Sequence, residues 1–177
     1  MTSRSARPDA IVAALLLLGA AAGLLPVAAS AQSTRAVSKF SDWTLYEHQH
    51  AETKICFLSA PPRSSLPKGA VRGPVQFFVS VWPKDGVKGE ISVKLGYPVK
   101  KGFPVTVTVG KDTFRLFAAS DRAFVQDPTA ELKLIEAVKK GTTVVVQATS
   151  ENGTATTDTY SLQGLAQGLQ TLAAGCP

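Results

Sequence analysis

The stretch VQFFVSVWPKDGVKGEISVKL, residues 75–95, decides the fold class of this chain. Apolar residues fill every second position from Val75 to Val81 and again from Ile91 to Leu95. A period of two places alternate side chains on opposite faces of a strand. Pro83-Lys84-Asp85-Gly86 lies between the two runs and has the composition of a turn. The stretch therefore predicts a hairpin in an antiparallel sheet with one apolar face.

Two further hairpins are predicted outward from this one. Val105–Val109 and Phe114–Phe117 form the second pair, and Thr142–Thr149 and Thr156–Leu162 form the third. Asn152-Gly153 lies inside the third pair. Asn-Gly is typical of a type I′ turn, which needs a positive φ at both central residues.

The N-terminal side of the stretch predicts two more strands, at Trp43–His48 and Ile55–Ala60. The polar segment from Gln32 to Lys39 is expected to be frayed. Pro61–Gly73, rich in Pro, Ser, Arg and Gly, is expected to be a loop.

Two helices complete the predicted fold. Asp127 is a predicted N-cap, Pro128 suits the first helical position, and Gly141 ends the helix. A second helix carries Leu165, Leu169 and Leu172 on one face. The fold class is therefore mainly β: one antiparallel β-sandwich or barrel-like domain with two short helices.

The N-terminal residues have the layout of a secretory signal peptide. Arg4 and Arg7 give a basic start, Ile11–Leu18 is an unbroken apolar run, and Ala29-Ser30-Ala31 is a cleavage site. A membrane anchor is the alternative, but a spanning helix needs about 20 apolar residues. We therefore predict a signal peptide at 1–31 and a 146-residue domain at 32–177. The mature protein is expected in the periplasm or at the cell surface.

The two cysteines, Cys56 and Cys176, predict one disulfide bond. An even number of cysteines in an oxidising compartment indicates pairing. The bond would join the strand at Ile55–Ala60 to the C-terminal tail.

The sequence contains no pattern typical of an enzyme, so no catalytic residue, metal or cofactor is predicted. His48 and His50 share one side of a strand and could begin a metal site, but such a site needs further ligands. A polar, exposed strand end is the favoured interpretation. No nucleophile elbow, phosphate loop or paired-carboxylate motif is present.

Positive charge concentrates in one part of the chain. Of the formal +6, loss of residues 1–31 removes Arg4, Arg7 and Asp9 and leaves +5. Residues 84–115 hold seven basic and three acidic side chains. Strand pairing could gather four of the basic ones into a surface for an anionic partner: Lys94, Lys100, Lys101 and Arg115. The alternative is that strand lysines only block edge pairing and maintain solubility.

Several short motifs resemble the invasion-associated locus B family of alphaproteobacterial secreted proteins. They are Phe40-Ser41-Asp42-Trp43-Thr44, Ile55-Cys56, Glu90-Ile91-Ser92-Val93, Gly96-Tyr97-Pro98-Val99-Lys100-Lys101-Gly102 and Asp158-Thr159-Tyr160-Ser161-Leu162-Gln163-Gly164. The resemblance implies a periplasmic or outer-surface protein without enzymatic activity. In pathogenic relatives the family is linked to host-cell entry. Relatives often carry a further cysteine pair in mid-domain, which this chain lacks.

Two functions follow as hypotheses. The first is a secreted, non-enzymatic module that binds an anionic envelope or host-surface component, with no nucleic acid partner and at most peripheral membrane contact. The second is a hydrolase or inhibitor-like periplasmic protein whose site assembles from scattered residues.

Processing of the signal peptide is directly testable. Mass spectrometry of the protein from its native host is expected to find an N-terminus at Gln32, because cleavage follows Ala31. A mature form that retains Met1 would contradict the prediction of export.

Overall fold

A computed structural model of the chain describes residues 33–50 and 53–175, and of His50 and Lys88 only the backbone. The predicted signal peptide and Cys176 lie outside the described residues. The strands are β1 (Ser33–Phe40), β2 (Trp43–His50), β3 (Thr53–Ala60), β4 (Ser64–Leu66), β5 (Gln76–Trp82), β6 (Val87–Lys94), β7 (Val105–Val109), β8 (Asp112–Ala119), β9 (Arg122–Phe124), β10 (Thr143–Thr149) and β11 (Ala155–Ser161). The helices are α1 (Pro128–Lys140) and α2 (Leu165–Gly175), and a 3₁₀ turn spans Pro83–Asp85. Neither α1 nor α2, in this described part of the chain, has the length and apolarity that a bilayer span requires.

The strands form one antiparallel sheet in the order β1-β2-β3-β5-β6-β9-β8-β7-β10-β11-β4. The strand β8 belongs to both halves of it, because Asp112–Leu116 pairs with β7 and Phe117–Ala119 pairs with β9. The chain therefore turns a corner at β8 and folds the sheet into two facing layers. The sheet is not closed, since β1 and β4 are its two ends. The prediction of a mainly antiparallel, sandwich-like fold is confirmed.

Aromatic side chains join the two layers across the core. The rings of Trp43 on β2 and Phe77 on β5 meet edge to face at 5.9 Å, and Phe77 lies 5.5 Å from Tyr160 on β11. All three are fully buried. The indole Nε1 of Trp43 donates to the carbonyl of Ser161 at 3.0 Å. The alternating residues of the first predicted hairpin supply much of the rest of this core, including Val79, Ile91 and Val93.

Both helices form where the sequence predicts them. The Asp127 carboxylate accepts a hydrogen bond from the Ala130 N–H at 2.6 Å, which satisfies one of the donors that a helix start leaves unpaired. Leu134 and Val138 of α1 are buried against the sheet, and so is Leu172 of α2. The helices thus cover one part of the sandwich beside β3 and β6.

The expectation of a frayed segment up to Lys39 is wrong, because Ser33–Phe40 is the strand β1. It pairs with β2 across a tight turn in which Ser41 has a φ of 54°. Arg35 donates to the Glu47 carboxylate at 2.6 Å across this pair. Partners on β2 therefore order a segment whose own composition is polar and whose side chains are mostly exposed.

Two turn predictions also need correction. Ser64–Leu66, inside the predicted loop, forms the short strand β4 against β11. In the third hairpin only Gly153 has a positive φ, of 86°, so the turn is not type I′. The Ser150 N–H donates to the Thr154 carbonyl at 2.9 Å and closes a three-residue loop, the arrangement in which only the last loop residue is left-handed.

A buried ion pair joins the loop before β5 to β11. The Arg72 guanidinium, 7% exposed, binds both oxygens of the Asp158 carboxylate, which is 0% exposed. Ser65 on β4 donates to the same carboxylate at 2.7 Å. Hydrogen bonding to Asp158 raises the pKa of Arg72. Beside this pair, the hydroxyls of Tyr97 and Thr156 share a short hydrogen bond.

Removal of the Asp158 carboxylate is expected to destabilise the protein strongly. Asp158→Ala leaves the Arg72 guanidinium buried without its counter-charge, a change that typically costs about 3–5 kcal/mol. Glu136→Ala is the control, because it breaks an ion pair with Lys139 in which both side chains are exposed, and it should destabilise the protein far less than Asp158→Ala. Urea denaturation at neutral pH measures both, and equal losses would show that burial of the Asp158 pair carries no special weight.

Candidate functional site: a basic and aromatic face

The sheet register places two of the four predicted basic residues on the outward side of the sheet. Lys94 at the end of β6 lies opposite Arg122 on β9, and Arg122 lies opposite Ala119 on β8. Arg115 lies four residues before Ala119 and so shares its side of the strand. Leu116, the neighbour that points the other way, is buried in the core. Lys94 and Arg122 therefore lie on the outward side of one layer, and Arg115 lies on the outward side of β8 in the part of that strand that pairs with β7.

The charges on this face differ in how far they are neutralised. The Lys94 ammonium lies 3.8 Å from the Asp121 carboxylate, and both side chains are partly exposed. The Arg122 guanidinium lies over the Phe78 ring at 5.2 Å. Arg115 is exposed. Lys94 is consequently the weakest contributor among the four predicted basic residues.

The other two predicted residues lie in the loop between β6 and β7. The Lys100 N–H donates to the Thr149 carbonyl at 2.9 Å, and the Glu151 N–H donates to the Pro98 carbonyl at 2.8 Å. These bonds hold the loop against the end of β10. The Lys100 ammonium lies 4.6 Å from the centre of the Phe103 ring, and Lys101 is exposed.

A groove of about 480 Å³ connects this loop to β8. Lys100 and Lys101 of the loop and Phe117 of β8 all line it. Phe103 and Phe117 are large apolar side chains in contact with water, 47% and 56% exposed. The groove is lined by Pro98, Val99, Lys100, Lys101, Gly102, Phe103, Leu116, Phe117, Ala118, Ser120 and Glu151.

An aromatic row continues from the groove across the outward face. Phe117 lies opposite Phe124, and Phe124 lies opposite Ser92, which faces Phe78. The Phe78 and Phe57 rings are 5.9 Å apart, and Phe57 stacks on Tyr46 at 5.1 Å. The row is half-buried, so its rings cover one another and still meet solvent.

We define the basic-aromatic face as the groove together with Arg115, Arg122 and Phe78. Cations and exposed rings lie side by side there, and such a surface attracts anions while offering apolar contact. Glu151 is the one carboxylate residue that lines the groove in the described part of the chain. Glu90, further along the face, is half-buried; burial raises its pKa, and the charge of Arg122 opposes that shift.

The aromatic component was missed at the level of the sequence. The sequence predicts the strand Ile55–Ala60 without saying which side of it Phe57 occupies; β3 directs Phe57 outward, because its neighbours Cys56 and Leu58 are the buried ones. The outward positions of Phe78 and Phe124 follow the same alternation. The alternation of side chains along each strand could have identified single outward rings, but the aromatic row depends on which strands are neighbours in the sheet.

Of the two histidines that could begin a metal site, the structure describes the side chain of His48. His48 Nδ1 shares a hydrogen bond of 2.7 Å with the Thr34 hydroxyl, and the side chain of His50 lies outside the described residues. The nearby Glu47 carboxylate is engaged by Arg35 and Lys54, and the bond from Arg35 lowers its pKa. Within residues 33–50 and 53–175, no group of three His, Cys, Asp or Glu side chains is placed to hold a metal ion.

These features define a β-rich, sandwich-like domain with a basic, aromatic outer face. The family model for the invasion associated locus B (IalB) protein matches residues 43–173, and the chain belongs to that family. The structure is similar to the crystal structure of invasion associated protein B from Bartonella henselae, with a TM-score of 0.54 and 18% identity over 77% of this chain and 95% of that one. The comparison with curated proteins finds no match.

Proposed function

We propose that this chain is a secreted, non-enzymatic binding module of the bacterial envelope, and that its basic-aromatic face binds an anionic envelope or host-surface component. The observation that supports this most directly is the groove in which Lys100 and Lys101 flank two exposed phenylalanines. Membership of the IalB family is consistent with such a role. Export to the periplasm or cell surface belongs to the same proposal.

The composition of the groove favours a partner with both charge and apolar surface. If the lysines only increased the solubility of the protein, no exposed aromatic ring would be needed beside them. The ring of Phe103 is instead held against the Lys100 ammonium at 4.6 Å. Exposed large apolar side chains beside fixed cations are typical of surfaces that contact anionic membranes or amphiphilic glycans.

A hydrolytic function finds less support. Catalytic carboxylates work in pairs or beside a nucleophile, and their reaction requires a cleft. The half-buried pair Glu90 and Glu131 has raised pKa values because of burial. However, Glu131 already accepts the Ile91 N–H at 2.7 Å, which ties α1 to β6 and gives this carboxylate a structural task.

We also propose the Cys56–Cys176 disulfide as part of the secreted state. Cys56 is buried on β3, and Lys54 precedes it by two residues on the same side of the strand. The Lys54 ammonium donates to the Gly175 carbonyl at 2.9 Å. The residue before Cys176 is therefore held beside the strand that carries Cys56.

Charge reversal at the groove is expected to weaken binding to anionic surfaces strongly. Each basic residue near an anionic membrane contributes about 1 kcal/mol, so Lys100→Glu with Lys101→Glu should weaken binding by more than roughly 30-fold. Co-sedimentation with vesicles of phosphatidylcholine and phosphatidylglycerol in equal parts measures this. Wild-type binding should also fall between 0.15 M and 1 M salt, because the screening length shortens from about 8 Å to about 3 Å.

Matched variants separate the groove from net charge and from general apolarity. Lys111→Glu with Lys133→Glu makes the same charge change at a different groove, between β8 and α1, and should bind nearly as well as wild type. Phe117→Ala should weaken vesicle binding, whereas Leu132→Ala, at an exposed position of α1, should not. Equal losses for both charge pairs would reject a specific site.

The proposed disulfide has its own measurement. Digestion without reductant is expected to yield one peptide pair that links Cys56 to Cys176. Replacement of both by serine should cost about 2–5 kcal/mol, the usual range for a native disulfide of a small secreted domain. Two thiols that react with an alkylating agent in the oxidised native protein would contradict the pairing.

A further inference from the structure

A second cavity, of about 460 Å³, lies on the opposite side of the sheet from the basic-aromatic face. Val79 and Val81 of β5 are among its lining residues, and both belong to the core-facing set of that strand. Ile135 of α1 and Leu169 and Leu172 of α2 form its walls. It is thus an opening of the hydrophobic core between the two helices, and we call it the helix cleft.

Three residues with small side chains line part of the helix cleft. Gly86, Gly89 and Ala173 all line it and add at most one methyl group. Gly86 has a φ of 70° at the end of the 3₁₀ turn, and a Cβ there would meet open space. A Cβ on Gly89 would lie 2.8 Å from Ile135 Cδ1, so glycine there lets α1 approach β6. The small side chains at these three positions therefore account for part of the cleft volume.

One cation stands at the rim. Lys139 is the charged residue that lines the cleft among the described side chains. Its ammonium bonds the Glu136 carboxylate at 2.6 Å on the solvent side of α1, and both side chains are substantially exposed. An anion at the rim would compete with Glu136 for this ammonium, at small cost because an exposed ion pair contributes little.

We propose that the helix cleft binds one alkyl chain that carries an anionic headgroup, as in a fatty acid, with the chain on Val87, Ile135 and Leu169 and the headgroup at Lys139. An apolar cavity of about 150 Å³ already accommodates benzene, and ligand pockets generally occupy about 300–1,000 Å³. The cleft falls in that range. Val87, Ile135 and Leu169 are its partly exposed apolar lining, whereas Val79 and Leu172 are covered at 1% and 2% exposure, so a narrow chain suits the cleft better than a flat protein surface.

The first test is calorimetric titration with octanoate, decanoate and dodecanoate below their micelle concentrations. Affinity should rise by about fourfold for each added methylene that enters the cleft. Dodecanol and dodecylammonium should bind more weakly than dodecanoate. Equal affinity for all three headgroups would overturn the assignment of Lys139, and affinity independent of chain length would overturn the alkyl site.

Variants at the rim and in the cleft locate the site. Lys139→Gln should remove the preference for dodecanoate over dodecanol, and Glu136→Gln should strengthen dodecanoate binding several-fold because it releases the Lys139 ammonium. Lys140→Gln is the control, since that exposed neighbour does not line the cleft. Ala173→Phe should block binding, whereas Ala174→Phe, also exposed but outside the lining, should not.

Binding of dodecanoate to the helix cleft can be tested independently of vesicle binding to the basic-aromatic face. Lys100→Glu with Lys101→Glu should leave dodecanoate binding unchanged, and Ala173→Phe should leave vesicle binding unchanged, because the two sites share no lining residue. Thermal melting confirms that Ala173→Phe is folded. Sedimentation velocity compares the association of wild type and Ala173→Phe. If the wild type self-associates, Ala173→Phe is monomeric and neither binds dodecanoate, the cleft is a contact between copies of the chain and the proposal is wrong.

Discussion

The packing of Phe77 between Trp43 and Tyr160 is the contact on which the two-layer arrangement depends. Trp43 and Phe77 lie on β2 and β5, which have only β3 between them, whereas Tyr160 lies on β11, near the other end of the sheet order. The indole bond to the Ser161 carbonyl holds the two layers in one relative position. Large buried aromatic rings contribute more than their area alone, because edge-to-face contacts add to burial. With the layers fixed in this way, every strand acquires one inward and one outward side.

The outward side is where composition departs from the usual solvent-facing sheet. An antiparallel sheet with one wet face normally alternates apolar with polar residues. Here Phe57, Phe78 and Phe124 occupy outward positions, and register aligns them into a row that ends at the exposed Phe117. A row of this kind costs solubility, and the neighbouring Arg115 and Arg122 offset that cost. The association of rings with cations is therefore a property of the register, which explains why it is absent from any single segment.

The sequence was sufficient for the elements that carry their own signal. Strict alternation located β5 and β6, and the Asp127-Pro128 cap located the start of α1. It was insufficient where order comes from partners, as for β1, whose polar residues are held by β2, and for β4, which exists because β11 offers an edge. The basic residues of the candidate site were visible as a cluster of charge. The Arg72–Asp158 pair was not, because 86 residues separate the two partners and only the fold brings them together.

One strand separates the two proposed binding regions. On β5, Val79 and Val81 lie on the side of the helix cleft. Phe78, the neighbour of Val79, points to the other side and belongs to the aromatic row. Ligands at the two sites can influence each other only if binding at one shifts an element that the other also contacts. The elements flanking β5 are tied by ladders on both sides and by the Phe77 cluster, so a displacement there would disturb the core itself. Because packed interiors resist such shifts, ligands should bind to the two regions independently. A molecule that contacts both regions would gain affinity because its two parts are covalently linked, and not because the protein changes shape.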